Sequence, residues 1–318
     1  MSESARRWLS LLALALGVAG VAYLVHETGP ERVWQTIVLG AWTLPLVMLG
    51  DAGYFACEAL AHRSVLGSGA AAIPGRVFVR STALVYVVGA LLPLGRAGAE
   101  VARAATFAPY VGAGRSTAAG TNVQVAAFVG NTFISSVCLV ACLVALGAHW
   151  LTGLLAVNGS VTFVLAVVAW ALLRHDRLGS AIAKRWPGLA ARFEGLGEGL
   201  RASRGELLRA IGFACLARVV QVGMYAALLV AVGITPSLLG ALLALAVHLV
   251  GAGFGDLVPN QVGVLEGAYR VFADALSLGD DPARAVSIAL FARVSQIGIA
   301  SISMIGLGLT RGSKPAAA

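Results

Sequence analysis

Six stretches of this chain are each apolar for about 18 residues or more, the length that an α-helix needs to cross a lipid bilayer. Only 12% of the 318 residues are charged, whereas a soluble domain has about 25%. No polar region is long enough to fold as a separate soluble domain. The sequence therefore predicts an all-α polytopic membrane protein, with full-length helices at about 8–25, 34–61, 118–147, 152–173, 207–232 and 283–309.

Two further apolar stretches, 77–92 and 238–257, each run into a proline that is followed seven residues later by a glutamate and then by an arginine. Such breaks at corresponding positions of two halves are typical of a transporter-like binding site. A shorter semi-apolar piece follows each proline, and we expect it to return as the second arm of a re-entrant or broken-helix hairpin. These pieces lie at 96–110 and 262–277, and the hinge candidates are Pro93, Gly95, Gly98, Pro259, Asn260 and Gly263.

The basic residues predict the orientation of these segments, because cytoplasmic loops carry an excess of lysine and arginine. The strongest basic cluster, at 174–209, is cytoplasmic only if 77–110 enters and leaves the membrane on the same side. Both termini and the basic residues near 63–80 and at Arg115 are then cytoplasmic as well. The loops that become external are short and acidic or uncharged, at 26–32, 148–151, 233–237 and 279–282.

With this topology the two hairpins open to opposite sides of the membrane. Their motifs lie 166 residues apart, from Pro93 to Pro259 and from Glu100 to Glu266. This predicts two inverted-topology repeats, a layout of many secondary transporters, within one integral membrane domain over 1–318. The repeats span about 34–147 and about 207–310. A chance match stays the alternative, since glycine-rich helices often contain proline and glutamate.

Two Arg-x-x-Gln pairs lie in apolar helices, and residues three apart share a helix face. The pairs are Arg218 with Gln221, and Arg293 with Gln296. An arginine at the bilayer centre costs at least about 2.5 kcal/mol, so each needs a partner. The candidate partners are Glu266, Glu100, Asp51, Asp256 and a bound anion.

Two interpretations of these arginines stay open. They could form structural salt bridges between helices, or they could bind an anionic headgroup, since the planar guanidinium suits phosphate. Arg103 and Arg270, which follow the two motif glutamates, are further candidates for the headgroup site.

Three acidic residues in apolar surroundings are the remaining site candidates. Glu100 and Glu266 lie where a half-helix would begin after its proline. That position favours either helix capping and dipole compensation, or a carboxylate that responds to protons or cations. Asp51 lies near the centre of the second predicted helix and is costly unless it is paired.

The segment between the repeats, about 174–206, has apolar residues at a spacing of three and four with basic residues beside them. This pattern predicts an amphipathic helix on the inner leaflet that favours anionic lipid. The alternative is a solvated connector that docks on its own helix bundle.

The sequence lacks the motifs of P-loop nucleotide sites, zinc proteases and serine hydrolases. We therefore expect no catalytic residue, no metal and no cofactor. The net charge of +8 is a topology signal in a membrane protein, and no nucleic-acid partner is expected.

The second motif, Val258-Pro-Asn-Gln-Val-Gly-Val-Leu-Glu266-Gly267, resembles the membrane region of lysylphosphatidylglycerol synthases and their stand-alone, flippase-like relatives. The first motif, from Leu92 to Arg103, resembles that family's Pro-x-Gly-x-x-Gly-Glu-x-x-Arg element. It departs from the element where Ala99 separates Gly98 from Glu100. The resemblance extends over about 8–310.

The resemblance implies lipid translocation or lipid binding in a prokaryotic cytoplasmic membrane. The chain ends at Ala318, so no synthase domain and no transferase activity are expected. Stand-alone relatives are also linked to hopanoid or glycolipid export, which leaves the cargo open. The expected partners are anionic membrane lipids. The alternative is a non-catalytic scaffold or accessory subunit of an enzyme of lipid modification or envelope biogenesis.

Overall fold

The computed structural model describes residues 19, 21–91, 95–174, 200, 203–255, 261–278 and 281–309. Almost all of these residues are helical, and none of them forms a strand. Most of the predicted first helix (8–25) and of the predicted linker helix (174–206) lies outside the described residues. Four candidate residues also lie outside the described residues: Pro93, Asp256, Pro259 and Asn260.

Residues 21–28 are helical, and the helices that follow are labelled in chain order. They are α1 (Pro30–Gly40), α2 (Leu44–Leu66), α3 (Gly75–Leu91), α4 (Gly95–Val111), α5 (Ala113–Leu146), α6 (Trp150–Arg174), α7 (Arg204–Ala231), α8 (Leu238–Gly255), α9 (Val264–Val271) and α10 (Pro282–Leu309). Short 3-10 segments lie at Ala41–Thr43, Gly67–Ala72 and Asp274–Leu276. The predicted helix 34–61 is thus two helices joined by a 3-10 turn.

Among the described residues, six segments are long and apolar enough to cross a membrane. They are Pro30–Ala72, Ala113–Leu146, Trp150–Ala171, Arg204–Ala231, Leu238–Gly255 and Pro282–Leu307. Large apolar side chains such as Leu39 and Val144 are about three-quarters exposed, at 76% and 77%. Lipid tails are as apolar as leucine, so this surface suits a bilayer. The prediction of an all-α polytopic membrane protein is confirmed.

Four consecutive helices recur at the spacing of the two motifs. When α3 is shifted by 166 residues it covers 241–257, against 238–255 for α8, and α5 shifted likewise covers 279–312, against 282–309 for α10. α2 and α4 correspond in the same way to α7 and to α9 with its following 3-10 turn. This order supports the repeat, while the opposite orientation of its copies stays a prediction.

Each motif follows one helix of a packed pair. α3 packs against α4, where the rings of Phe78 and Phe107 lie 4.9 Å apart between centroids. α8 packs against α9 at Gly251, where a Cβ atom would lie 3.0 Å from the Ala268 Cβ and 3.1 Å from the Leu265 Cδ2. Only glycine permits so close an approach without a shift of its neighbours. That these pairs re-enter the membrane stays a prediction.

The chain divides into two compact units. The first contains 1–54, 131–163 and 217–296, and the second contains 55–130, 164–216 and 297–318. The α8–α9 pair lies wholly in the first unit and the α3–α4 pair wholly in the second. In contrast, α2, α5, α6, α7 and α10 contribute residues to both.

Candidate functional site

Five of the predicted site residues belong to two clusters, one in each unit. The Glu266 cluster, in the first unit, consists of Gln261, Gly263, Glu266 and Arg293. The Glu100 cluster, in the second unit, consists of Glu58, His62, Glu100 and Arg103. Arg218, Gln221, Asp51 and Arg270 lie elsewhere in the first unit.

The Glu266 cluster surrounds a fully buried carboxylate. Arg293 donates hydrogen bonds to it through two nitrogens, from Nε to Oε1 and from Nη2 to Oε2 at 3.3 Å. Arg293 Nη2 also donates to the Gln261 carbonyl at 3.0 Å. Two-pronged contacts of this kind are short-range and directional. They tie the start of α9 to the middle of α10.

The local sequence explains why Glu266 turns inward. Gly263 caps the N-terminus of α9 with a φ of +82°, a conformation that glycine adopts without a steric penalty. Its backbone N–H donates to Glu266 Oε2 at 2.9 Å, so the glutamate at the third helical position reaches back to the cap. Glu266 therefore caps α9 and binds Arg293 with the same carboxylate.

Arg270 lies near the other end of α9 and binds a segment far away in sequence. Its Nη1 is 3.2 Å from Glu27 Oε2 and donates to Thr28 Oγ1 at 3.3 Å. The side chains of Arg270 and Glu27 are 30% and 44% exposed. This pair is partly solvated, so its stabilising effect is small.

Arg218 is 7% exposed on α7 and contacts the neutral side chains of Gln221 and Tyr54. Its Nη1 donates to Gln221 Oε1 at 2.7 Å, and its guanidinium lies 5.3 Å from the centre of the Tyr54 ring. A cation over an aromatic face gains about 0.5–2 kcal/mol. The Arg-x-x-Gln spacing does place both groups on one face. On α10 the corresponding Gln296 is half-buried.

A chain of hydroxyl groups runs through the core beside Arg218. Tyr269 on α9 donates to the Ala244 carbonyl on α8 at 3.0 Å. Tyr225 on α7 is hydrogen-bonded to Tyr269. Since the single hydroxyl proton of Tyr269 is already donated, Tyr225 is the donor of that bond. Three helices are joined by this chain.

Asp51 on α2 is 8% exposed and accepts a hydrogen bond from Ser295 Oγ on α10 at 2.9 Å. The sequence predicts that this aspartate needs a partner in its apolar surroundings. A serine hydroxyl meets part of that need and links α2 to α10.

The Glu100 cluster is built on a histidine. His62 Nδ1 lies 2.8 Å from Arg103 Nη1 and 3.0 Å from the Glu58 carbonyl oxygen, and His62 Nε2 lies 3.1 Å from Glu100 Oε2. Arginine can only donate, so Nδ1 must accept and carry no proton. We therefore assign a neutral ring that donates from Nε2 to Glu100.

Arg103 is 2% exposed, yet part of its guanidinium makes no hydrogen bond. Nε and Nη2 are buried and bind no acceptor among the described residues. Glu100 Oε1 is 3.9 Å from Nε, close enough for attraction but beyond hydrogen-bond distance. Unsatisfied buried donors on a charged group are costly, and they mark this position as one that a further acceptor would stabilise.

The family model of the lysylphosphatidylglycerol synthase TM region matches residues 10–303 of this chain. The chain belongs to this family. No curated protein and no solved structure matches it. The family is named for the membrane region of the synthase, and the residues of both clusters lie within the matched range.

In this lysylphosphatidylglycerol synthase TM region protein, sequence reasoning missed His62, Gln261, Tyr225 and Tyr269. His62 is 38 residues from Glu100, a separation at which no periodicity pairs two side chains. Gln261 contributes a backbone carbonyl, which any residue could supply. No group of three or more histidine, cysteine, aspartate or glutamate side chains suited to a metal ion occurs in the described ranges.

Proposed function

We propose that this chain moves an amphiphile with an anionic headgroup between the leaflets of a prokaryotic cytoplasmic membrane, as a flippase-like transporter with no catalytic role. Membership of a membrane-protein family supports the coarse part of this proposal. The partners of the arginines support the finer part.

Two of the candidate arginines lie within 3.5 Å of a carboxylate oxygen. Arg293 binds the buried Glu266, and Arg270 lies 3.2 Å from Glu27. The charge of each guanidinium is thus balanced within the protein. We assign these two arginines a structural role.

Two other arginines are deeply buried and donate to neutral side chains, Arg103 to His62 and Arg218 to Gln221. For Arg103, the carboxylate of Glu100 stays 3.9 Å away. A buried cation whose hydrogen bonds go to neutral groups retains a strong attraction for an anion. This observation carries the proposal, with Arg103 and Arg218 as the headgroup contacts.

The membership of the two units supports the proposed topology. The predicted external loops fall in the first unit, and the predicted cytoplasmic loops between helices fall in the second. The α3–α4 and α8–α9 pairs each stay within one unit, as expected of hairpins that enter and leave on one side. We therefore propose inverted repeats. We also propose that both termini lie in the cytoplasm, because basic residues lie near each end of the chain.

Leaflet exchange in proteoliposomes tests the function. The probes are fluorescent phosphatidylglycerol and a lipid with a neutral headgroup, with Arg103→Gln and Arg218→Gln beside the unmodified chain. We expect exchange that favours the anionic lipid and falls about tenfold or more in either variant, since a hydrogen bond to a charged group contributes about 1.5–3 kcal/mol.

Arg284→Gln is the matched control. Arg284 is 45% exposed and pairs with Asp281, the residue immediately before its helix, so its loss should leave exchange unchanged. Full exchange in both Arg103→Gln and Arg218→Gln would refute the assignment of these contacts.

A second candidate is a membrane scaffold or accessory subunit of an enzyme of lipid modification or envelope biogenesis. The Glu266–Arg293 contact favours it, because that pair joins α9 to α10. Copurification with an enzyme, together with no exchange of either lipid, would support this candidate over transport.

A further inference from the structure

We propose that Arg103 binds the phosphodiester group of an anionic lipid headgroup, and that proton binding to His62 releases Arg103 for this contact. This deepens the proposed function and rests on it. The consequence is that anion binding and proton uptake are coupled at the Glu100 cluster.

His62 Nδ1 lies between two groups with opposite demands. Arg103 Nη1, 2.8 Å away, can only donate a hydrogen bond, while the Glu58 carbonyl oxygen, 3.0 Å away, can only accept one. A neutral ring with its proton on Nε2 satisfies Arg103. A ring that is protonated on Nδ1 as well satisfies the Glu58 carbonyl and excludes Arg103. The acceptor for the second state is therefore already in place.

Glu100 stabilises both states. The His62 Nε2–H group donates to Glu100 Oε2, 3.1 Å away, whether or not Nδ1 carries a proton. In the neutral state the charges of Arg103 and Glu100 cancel. In the protonated state His62 adds one positive charge to the cluster, which attracts an anion.

Among the described residues, we distinguish the charged groups that act on His62 from those that contact other parts of the second unit. Glu100 and Arg103 on α4 are the charged side chains that act on it. On its own helix, Arg63 lies over the Phe78 ring of α3 at 5.9 Å, and Glu58 has a half-buried side chain. Arg115 of α5 and Glu206 of α7 lie against the segment Gly67–Ala72.

Arg103 is prepared for an anion in both states. Its Nε and Nη2 already lack acceptors among the described residues, and protonation of His62 would free Nη1 too. Nε and Nη2 form one edge with parallel N–H donors, the geometry of a bidentate contact with phosphate, and the freed Nη1 would add a third donor.

Ser81 is a second donor at the same level of the α3–α4 pair. Its hydroxyl is buried, with the residue 1% exposed, and binds no partner in the part of the chain that the structure describes. Phe78 contacts Phe107 across the pair, and the two helices are joined by a short link. Ser81 lies about one turn after Phe78 in α3, and Arg103 lies about one turn before Phe107 in α4. Both therefore lie on the side of the ring contact where α3 ends and α4 begins.

The test measures anion binding to the purified full chain in detergent micelles by calorimetry. The measurements are made at about pH 8 and about pH 5.5, which bracket the range in which an unperturbed histidine titrates. The probes are glycerophosphoglycerol, which is a soluble headgroup, and short-chain phosphatidylglycerol. Both are phosphodiesters that keep one negative charge over this range. Runs in buffers of different ionisation enthalpy measure the protons taken up.

We expect binding to tighten by at least about tenfold at the lower pH, as uptake of one proton permits about tenfold per pH unit. His62→Gln, which mimics the neutral ring, should bind equally at both pH values. Arg103→Gln should lose binding, and Ser81→Ala should weaken it about threefold. His248→Gln is the control, because His248 is a buried histidine packed against Tyr225 in the first unit.

Unchanged pH dependence in His62→Gln, or unchanged affinity in folded Arg103→Gln, would overturn the proposal. Equal affinity for both probes would identify the soluble phosphodiester as a sufficient ligand, and binding of the lipid alone would identify the membrane as its source. Leaflet exchange without proton-linked binding would refute this inference and leave the proposed function standing. Proton-linked binding without leaflet exchange would support this inference and refute the proposed function.

Discussion

The two motif glutamates occupy equivalent positions in sequence but differ in their surroundings. Glu266 is fully buried and receives hydrogen bonds from Arg293 and from the Gly263 backbone. Glu100 is 25% exposed and is held by a histidine. At the spacing of 166 residues the counterpart of Arg293 is Ala127, so the first copy has no arginine at that position.

This difference separates a fixed carboxylate from one that can change its state. An arginine keeps its charge at any physiological pH, so the Glu266 contact is constant. A histidine, unlike an arginine, can be neutral or charged, so under the proposed coupling the Glu100 contact changes when His62 binds a proton. The first unit thus holds a structural contact at Glu266, and we propose an adjustable contact at Glu100 in the second unit.

The largest effect should follow the loss of one partner of the Glu266 cluster. Glu266→Gln or Arg293→Ala leaves a buried group without its counter-charge, and we expect unfolding to become easier by about 3–5 kcal/mol. Glu100→Gln should cost only about 1 kcal/mol, because its carboxylate is partly exposed, its hydrogen bond goes to a neutral histidine, and Arg103 lies beyond hydrogen-bond distance. Thermal or denaturant unfolding in detergent measures both.

The double variant Glu266→Leu with Arg293→Met is the control for this comparison. Replacing both members of a buried pair with apolar residues is often neutral, so the double variant should be more stable than either single one. Equal losses in Glu266→Gln and Glu100→Gln would contradict the distinction between the two clusters.

The helices could be predicted from the sequence because their signal is local. The apolar stretches marked the long helices, and the matching Pro-to-Glu spacing aligned α3 with α8 before any contact was known. Glu266 was also among the partners predicted for the buried arginines, since few acidic residues lie in apolar sequence. These inferences depend only on composition and spacing.

The Glu100 cluster could not be predicted in the same way. Glu100 and Arg103 share a helix face by their spacing of three, but His62 reaches them only because α2 packs beside α4. Such packing depends on side-chain shape over many residues, as in the contact between Phe78 and Phe107. The break between α1 and α2 at Ala41–Thr43 was missed for a similar reason, as its sequence remains apolar.

A smaller effect should separate the two helix pairs. At Gly251 an added Cβ would lie 3.0 Å from the Ala268 Cβ, whereas at Gly89 it would lie 3.9 Å from the Ala99 Cβ. Gly251→Ala should therefore destabilise the protein by about 1–3 kcal/mol through overpacking. Gly89→Ala should be neutral or stabilise it by up to about 1 kcal/mol through helix propensity. Unfolding midpoints of the two variants decide this, and equal midpoints would show that both pairs tolerate the same separation.

The smallest effect concerns the ion pair between Arg270 and Glu27. Both side chains are partly exposed, and a solvated pair contributes about 0–1 kcal/mol. Arg270→Ala should therefore change stability far less than Arg293→Ala, and the change should shrink further at about 1 M salt, where charges are screened beyond about 3 Å. Unfolding of both variants at low and high salt measures this. A large loss of stability in Arg270→Ala that does not depend on salt would contradict this expectation. The Arg270–Glu27 pair would then stabilise the first unit as much as the Arg293–Glu266 pair does.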